Sequence, residues 1–227
     1  MKKAIIFDLD GTLLNTIKDI NVSINKTLEY FGYKKLNIKK TKANVGYGSK
    51  ELVRKVLPKN TTPDVRLKAT NHYLETYSKV SGTYAKPYRG IMKLLETLKT
   101  SGYKLAVVSN KDDHLVSLLN EQLFENIFEI TKGVKKGVER KPHPQMIKET
   151  LKALNVTKDE AIYVGDTEVD IRTAKNAFLD VVAVTWGFRS LEELVPLKPN
   201  YIIKKPKQLL AQLNYLNENG GNLVKSN

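Results

Sequence analysis

The segment KAIIFDLDGTLLNT, residues 3–16, runs through apolar Ala4, Ile5, Ile6 and Phe7 and then breaks into acids, a glycine and a hydroxyl. A short apolar run closed by turn-forming residues predicts a buried strand that empties into a loop. Four further runs have the same character: 104–108 (KLAVV), 127–130 (IFEI), 160–164 (EAIYV) and 180–184 (DVVAV), with 201–203 (YII) as a weaker sixth. Between them apolar residues recur at helical spacing, at Ile91, Leu94, Leu95 and Leu98, at Leu115, Leu118 and Leu119, at Ile147, Leu151 and Leu154, at Ile171, Ala174 and Phe178, and at Leu209, Leu210, Leu213 and Leu216. Alternating strands and helices imply parallel strands joined by right-handed crossovers. The expected fold class is therefore α/β, a doubly wound parallel sheet of Rossmann-like type.

Residues 15–82 break this alternation. Asn15 or Thr16 reads as an N-cap before Ile17, Ile20, Ile24, Leu28 and Phe31, and Val65, Ala69, Tyr73, Tyr77 and Val80 mark another helix. The expected organisation is an α/β core of residues 1–14 and 83–217, a small helical cap of 15–82 inserted after the first strand, and a flexible C-terminal tail, 218–227. Glycine and proline in SGTYAKPYRG, 81–90, together with 13–16, mark hinges about which the insert is expected to act as a lid.

Composition narrows the chemistry. The 227 residues are 41% hydrophobic and 27% charged, as in an ordinary soluble globular protein. There is no cysteine, so disulfides, thiolate catalysis and cysteine-ligated zinc are excluded, and any metal must be held by oxygen or imidazole. No apolar stretch approaches the roughly 18–20 residues of a membrane span, so a cytoplasmic protein with no membrane association is expected. The net charge of +14 is clustered: residues 34–55 hold Lys34, Lys35, Lys39, Lys40, Lys42, Lys50, Arg54 and Lys55 against the single acid Glu51. Such a charge suits an acidic substrate, or alternatively nucleic acid. No helix-turn-helix, zinc finger or basic–aromatic strand motif supports a specific nucleic-acid partner.

In a doubly wound sheet ligands bind beyond the carboxyl ends of the strands. Those positions hold Asp8-Leu9-Asp10-Gly11-Thr12, Ser109-Asn110-Lys111 and Gly165-Asp166-Thr167-Glu168-Val169-Asp170, while Lys141 precedes Pro142 just ahead of a helix. Acids converging on one sheet edge repel one another unless a cation sits among them, and an oxygen-only donor set beside an anionic substrate points to Mg²⁺. Hydroxyl, backbone amide and lysine groups at the same edge suit a phosphoryl group, with Gly11 allowing close backbone approach and Lys141 supplying a point cation. Plainer roles compete: Ser109-Asn110 as the N-cap of the next helix, and Asp170 as an acid in the first turn of its own. The turn Val45–Lys50 is a candidate substrate loop, with Lys50 and Arg54, one helical turn apart, placed to meet a second anionic group. His72, His114 and His143 have no metal-ligand spacing and read as surface or capping residues.

DLDGTLLNT at 8–16, SNK at 109–111, KP at 141–142 and GDTEVD at 165–170 resemble, in this order, the four motifs of the haloacid dehalogenase-like hydrolase superfamily. The helical insert and PYRGIMKLLETLK at 87–99 are similar to the cap and cap-to-core return of its phosphoglycolate phosphatase-like branch. The resemblance implies a phosphatase: Asp8 as nucleophile forming an aspartyl-phosphate, Asp10 as general acid and base, and Lys141 stabilising the transition state. It further implies Mg²⁺ held by Asp8, the Asp10 carbonyl and Asp166, with Asp170 at the metal or orienting a water or Lys141. Gly11, Thr12, Ser109, Asn110 and Lys50 are then the substrate contacts. The implied substrate is a small phosphorylated metabolite, phosphoglycolate first, and the implied assembly a monomer or homodimer. A β-phosphoglucomutase-like phosphotransferase and a pyrophosphatase or nucleotidase are the alternatives within the superfamily, and a nucleic-acid-binding protein is the alternative outside it.

Overall fold

A computed structural model describes residues 1–219. Strand β1 (Ala4–Phe7) is followed by β2 (Leu14–Asn15) and four helices, α1 (Ile17–Tyr30), α2 (Ile38–Asn44), α3 (Ser49–Val56) and α4 (Pro63–Val80). The chain then alternates through β3 (Lys86–Pro87), α5 (Ile91–Thr100), β4 (Lys104–Asp112), α6 (Asp113–Phe124), β5 (Ile130–Val134) and α7 (Gln145–Leu154). It closes with β6 (Ala161–Gly165), α8 (Glu168–Asn176), β7 (Asp180–Val184), α9 (Leu191–Leu194), β8 (Tyr201–Ile203) and α10 (Gln208–Asn219). Six strands form one sheet in the order β5-β4-β1-β6-β7-β8, every pairing parallel.

The sheet is covered on both faces, which is why its strands read as unbroken apolar runs. Ile5, Phe7, Leu105, Val107, Ile162 and Val164 point to one face, where α5 and α10 contribute Leu94, Leu98, Leu209 and Leu213. Ala4, Ile6, Ala106, Val108 and Tyr163 point to the other, against Met146, Ile147, Ile171 and Ala174. β1 lies between β4 and β6, so residues 8–12, 109–112 and 166–170 leave the sheet side by side.

Helices α1, α3 and α4 bury a separate apolar cluster that includes Ile20, Ile24, Leu28, Val53 and Tyr73, with Leu115 of α6 joining it from the core. The two segments expected as hinges meet: Leu14 pairs with Pro87 and Asn15 with Lys86 in an antiparallel ribbon. Buried Asp19 accepts hydrogen bonds from the amides of Gly82 (3.0 Å) and Tyr84 (2.8 Å), tying α1 to the returning chain. None of the described helices is long and apolar enough to cross a membrane.

Three expectations change. The strand placed at 127–130 lies at 130–134. Phe128 packs edge-on against Phe7 and Phe124 as a core plug, while ITKGV, at the half-exposed sheet edge, lacks the continuous apolar signal of a central strand. Phe178 is not on the buried face of a helix: α8 ends at Asn176, and Phe178, at φ 59°, stands 75% exposed. Helix α10 continues through Asn219, past the expected tail boundary at 218, and the rest of the tail, 220–227, lies outside the described residues.

Candidate active site

Residues from three adjacent strand ends and one loop converge at the carboxyl edge. Asp8 follows β1, its amide bonded to the Val164 carbonyl of β6 at 2.9 Å. A tight turn follows, in which the Gly11 amide reaches the Leu14 carbonyl at 2.8 Å. Gly11 has φ +99°, and a Cβ there would stand 2.3 Å from Asp166 Oδ2, so glycine is required both by conformation and by the approach of that carboxylate. Gly187 closes on Asp166 equally tightly from the loop after β7.

Lys141 is 1% exposed, and its ammonium donates to Asp8 Oδ1 (2.6 Å), Asp170 Oδ1 (2.8 Å), the Tyr163 hydroxyl (3.0 Å) and the Val108 carbonyl (3.1 Å). Burial alone would lower its pKa, but Asp170 and Asp8 outweigh that and hold it well above the ordinary lysine value. Burial pushes Asp8 up to about 7; Lys141 opposes the rise and Asp170 adds to it. Asp166 is likewise raised, by burial first and then by Asp8 and Asp170, against hydrogen bonds from the Phe188 amide (2.6 Å) and the Thr12 hydroxyl (3.0 Å).

Carboxylate oxygens of Asp8, Asp166 and Asp170 lie within 4.8 Å of one another. Three buried acids, of which only Asp8 and Asp170 reach the single lysine while Asp8 and Asp166 are driven toward protonation, are short of positive charge, and their hard oxygen donors can bind a divalent cation. Asp170 also caps α8: its Oδ2 accepts from the Thr167 hydroxyl (2.7 Å) and amide (3.0 Å) while Oδ1 holds Lys141. The helix-terminal role and the lysine-orienting role expected as alternatives thus coexist in one side chain.

Ser109 and Asn110 do not cap α6, whose N-cap is Asp112, because β4 extends four residues beyond 108. Ser109 Oγ accepts from the Lys111 amide at 3.2 Å. The Asn110 side chain clasps the Lys141 backbone at both amide (2.8 Å) and carbonyl (3.0 Å) and donates to the Gly46 carbonyl in the insert (3.1 Å). Thr12 reaches Asp166 rather than open space.

Of the cap residues singled out from sequence, Gly46, Gly48 and Ser49 line the cavity facing Asp8, but Lys50 is exposed and Arg54 is engaged with Glu51 at 2.5 and 2.7 Å. Neither basic residue borders that cavity.

Two residues to which the sequence analysis gave no role hold the site together. Lys111 is buried, 2.9 Å from Asp10 Oδ1 and hydrogen-bonded to the Tyr77 hydroxyl of α4. Arg189 joins Glu168 (2.8 Å) to the carbonyls of Lys42 (3.1 Å) and Val45 (2.9 Å), so core and insert are bolted together. Applying the strand-end rule to the run 180–184 would have flagged Gly187 and Arg189; nothing local marks Lys111 as buried.

The family model described as haloacid dehalogenase-like hydrolase matches residues 5–184. The phosphoglycolate phosphatase of Aquifex aeolicus (strain VF5) is 33% identical, over 93% of this chain and 97% of its own length. That of Colwellia psychrerythraea is 28% identical over the same shares. A haloacid dehalogenase-like family hydrolase from Streptococcus pneumoniae superposes with a TM-score of 0.83 at 28% identity, covering 93% of this chain and 98% of that one. The chain belongs to the haloacid dehalogenase-like hydrolases, in their phosphoglycolate phosphatase-like branch.

Proposed function

We propose that the protein is a Mg²⁺-dependent phosphatase of a small phosphorylated metabolite, with phosphoglycolate as first candidate, working through an aspartyl-phosphate on Asp8. The observation that carries this reading is the buried cluster of Asp8, Asp166 and Asp170 around Lys141, with Asp10 one turn of chain away. The substrate suggestion draws on the relatives named phosphoglycolate phosphatase, which span almost the whole chain. The division into a core of 1–14 and 83–217 and a cap of 15–82 belongs to the same proposal.

An Asp8 oxygen attacks phosphorus, the bond from phosphorus to the leaving oxygen breaks, and Asp10 gives that oxygen its proton. Asp10, now a carboxylate, takes a proton from water as the water oxygen attacks the aspartyl-phosphate, the Asp8–phosphorus bond breaks and inorganic phosphate leaves. Lys141 neutralises charge on the phosphoryl oxygens and keeps Asp8 aimed; Ser109 and the Asn110 amide hold the remaining oxygens. Asp8, Asp166, the Asp10 carbonyl and Asp170, directly or through water, would hold Mg²⁺, which when bound would offset repulsion between the nucleophile and the phosphate.

The test is a phosphate-release screen over phosphoglycolate, sugar phosphates, nucleotides and pyrophosphate, with Asp8→Asn as control. Metal-dependent release from a small ester by the wild-type protein alone is expected. Release that survives in the control would overturn the covalent route, and a labelled enzyme that returns phosphate to a sugar instead of water would make it a mutase.

A further inference from the structure

The cavity above the cluster is small, about 50 Å³, room for only a few water-sized groups. Its cap-side wall combines the aliphatic carbon and aromatic rings of Ile20, Val45, Leu52, Tyr73 and Tyr77 with Gly46, Gly48 and Ser49. Among the residues lining it only two carry a positive charge, Lys141 and Lys111. They differ in how many of their hydrogens are taken. An ammonium has three donors. Lys141 faces four acceptors and has none to spare. Lys111 donates one hydrogen bond, to the Tyr77 hydroxyl, and forms an ion pair with Asp10 Oδ1 at 2.9 Å, with its Nζ 4.5 Å from the Tyr77 ring centroid. At least one donor of a buried cation is left over beside the cavity. The lysine-rich stretch 34–55, which the charge distribution makes the obvious place to look, sends no side-chain cation here, since Lys50 is exposed and Arg54 is paired with Glu51.

We propose that Lys111, presented by the Tyr77 hydroxyl, selects the end of the substrate remote from phosphorus, and that this end is a carboxylate on a chain of about two carbons. The inference rests on the phosphatase reading and adds the identity of the selecting cation. A carboxylate at that distance meets the spare donor, its charge is balanced where no other free cation among the described residues lines the wall, and a cap-side wall that is mostly carbon offers few partners for the several hydroxyls of a sugar. The competing role is that of a strut, holding Asp10 to α4 and indifferent to the substrate.

Steady-state kinetics on phosphoglycolate and on ethyl phosphate, equal in chain length but lacking the carboxylate, separate the two. The wild-type protein is expected to prefer phosphoglycolate. In Lys111→Met the ratio of kcat/KM between the two esters should fall by roughly tenfold or more, largely through KM for phosphoglycolate. Lys111→Arg should restore part of the ratio, Tyr77→Phe should lower it less, and Lys50→Ala should leave it unchanged. Equal losses on both esters in Lys111→Met assign it the strut role and overturn the proposal, as does a ratio that moves with Lys50 instead. If Lys111→Met does not fold, Tyr77→Phe and Lys111→Arg decide by the same ratio. No turnover of either ester by the wild-type protein would sink the phosphatase reading itself, a result distinct from equal turnover of both, which sinks only the selection by Lys111.

Discussion

At the sheet end of the cavity Asp166, Asp170 and Lys141 are each held by two or more partners, and glycines at 11 and 187 let the backbone close on Asp166 within contact distance. The cap end offers mostly apolar rings and aliphatic carbon beside Gly46, Gly48 and Ser49, one hydrogen-bonded tyrosine, and contacts to the core through a few side chains, chiefly Arg189, Asn110 and Lys111. The anchoring at the first end suits the proposed chemistry at phosphorus, which tolerates little displacement of its charges. The second can vary, since any wall that excludes water and meets the substrate's far end will serve.

The contrast predicts that variants at the sheet end remove catalysis and variants at the cap end adjust selection. The largest effect is expected from Asp8→Asn: turnover falls by about 10⁴-fold or more while the melting temperature stays at or above that of the parent, measured by phosphate release and thermal unfolding. Retained turnover would mean that the sheet end is not the reacting end. Next comes metal removal. EDTA is expected to lower the rate by about 100-fold or more, with recovery on adding Mg²⁺.

The pH dependence of stability sharpens the same point. In the folded metal-free protein Asp8 is raised from 3.8 to about 7 by burial, opposed by Lys141. The folded state therefore holds a proton that the unfolded chain releases, so this group's contribution is full below the ordinary carboxylate range and is lost as pH rises through about 7. Asp166 is shifted the same way. Thermal melts without metal should fall by several degrees across that window, and saturating Mg²⁺ should raise the melt most at its upper end. A metal-free melt that rises over the window would contradict the charge crowding described.

At the cap end, Arg189→Ala severs two bonds to the insert and one ion pair, and should raise KM several-fold with kcat changed less. Faster amide exchange over 42–50 would accompany it. The smallest effect is expected for Lys50→Ala, exposed and away from the cavity, with kinetic constants within about twofold of the parent.

The difference in legibility between the two ends follows from how each is encoded. Asp8 and Asp166 follow β1 and β6, central strands buried on both faces, so an apolar run followed by an acid marks each along the chain itself, and Asp170 comes four residues later in the first turn of α8. Edge strand β5 lacked that signal and was displaced by three residues, because its outer face is half-exposed and Phe128 had gone to the core.

What the amino-acid sequence determined by itself is the α/β class, the helical insert and the acids at the carboxyl edge, because those depend on local periodicity and on the turn chemistry that follows each apolar run. What only the tertiary structure decided is which cations reach the cavity. Lysines 34–55 cluster along the chain yet spread over a loop and the outer sides of two short helices, while Lys111, unremarkable in SNK, is buried against a tyrosine 34 residues earlier. A helix presents residues three or four apart to the same side, and which side faces the site is set by packing against a distant element, information that no local stretch of sequence contains.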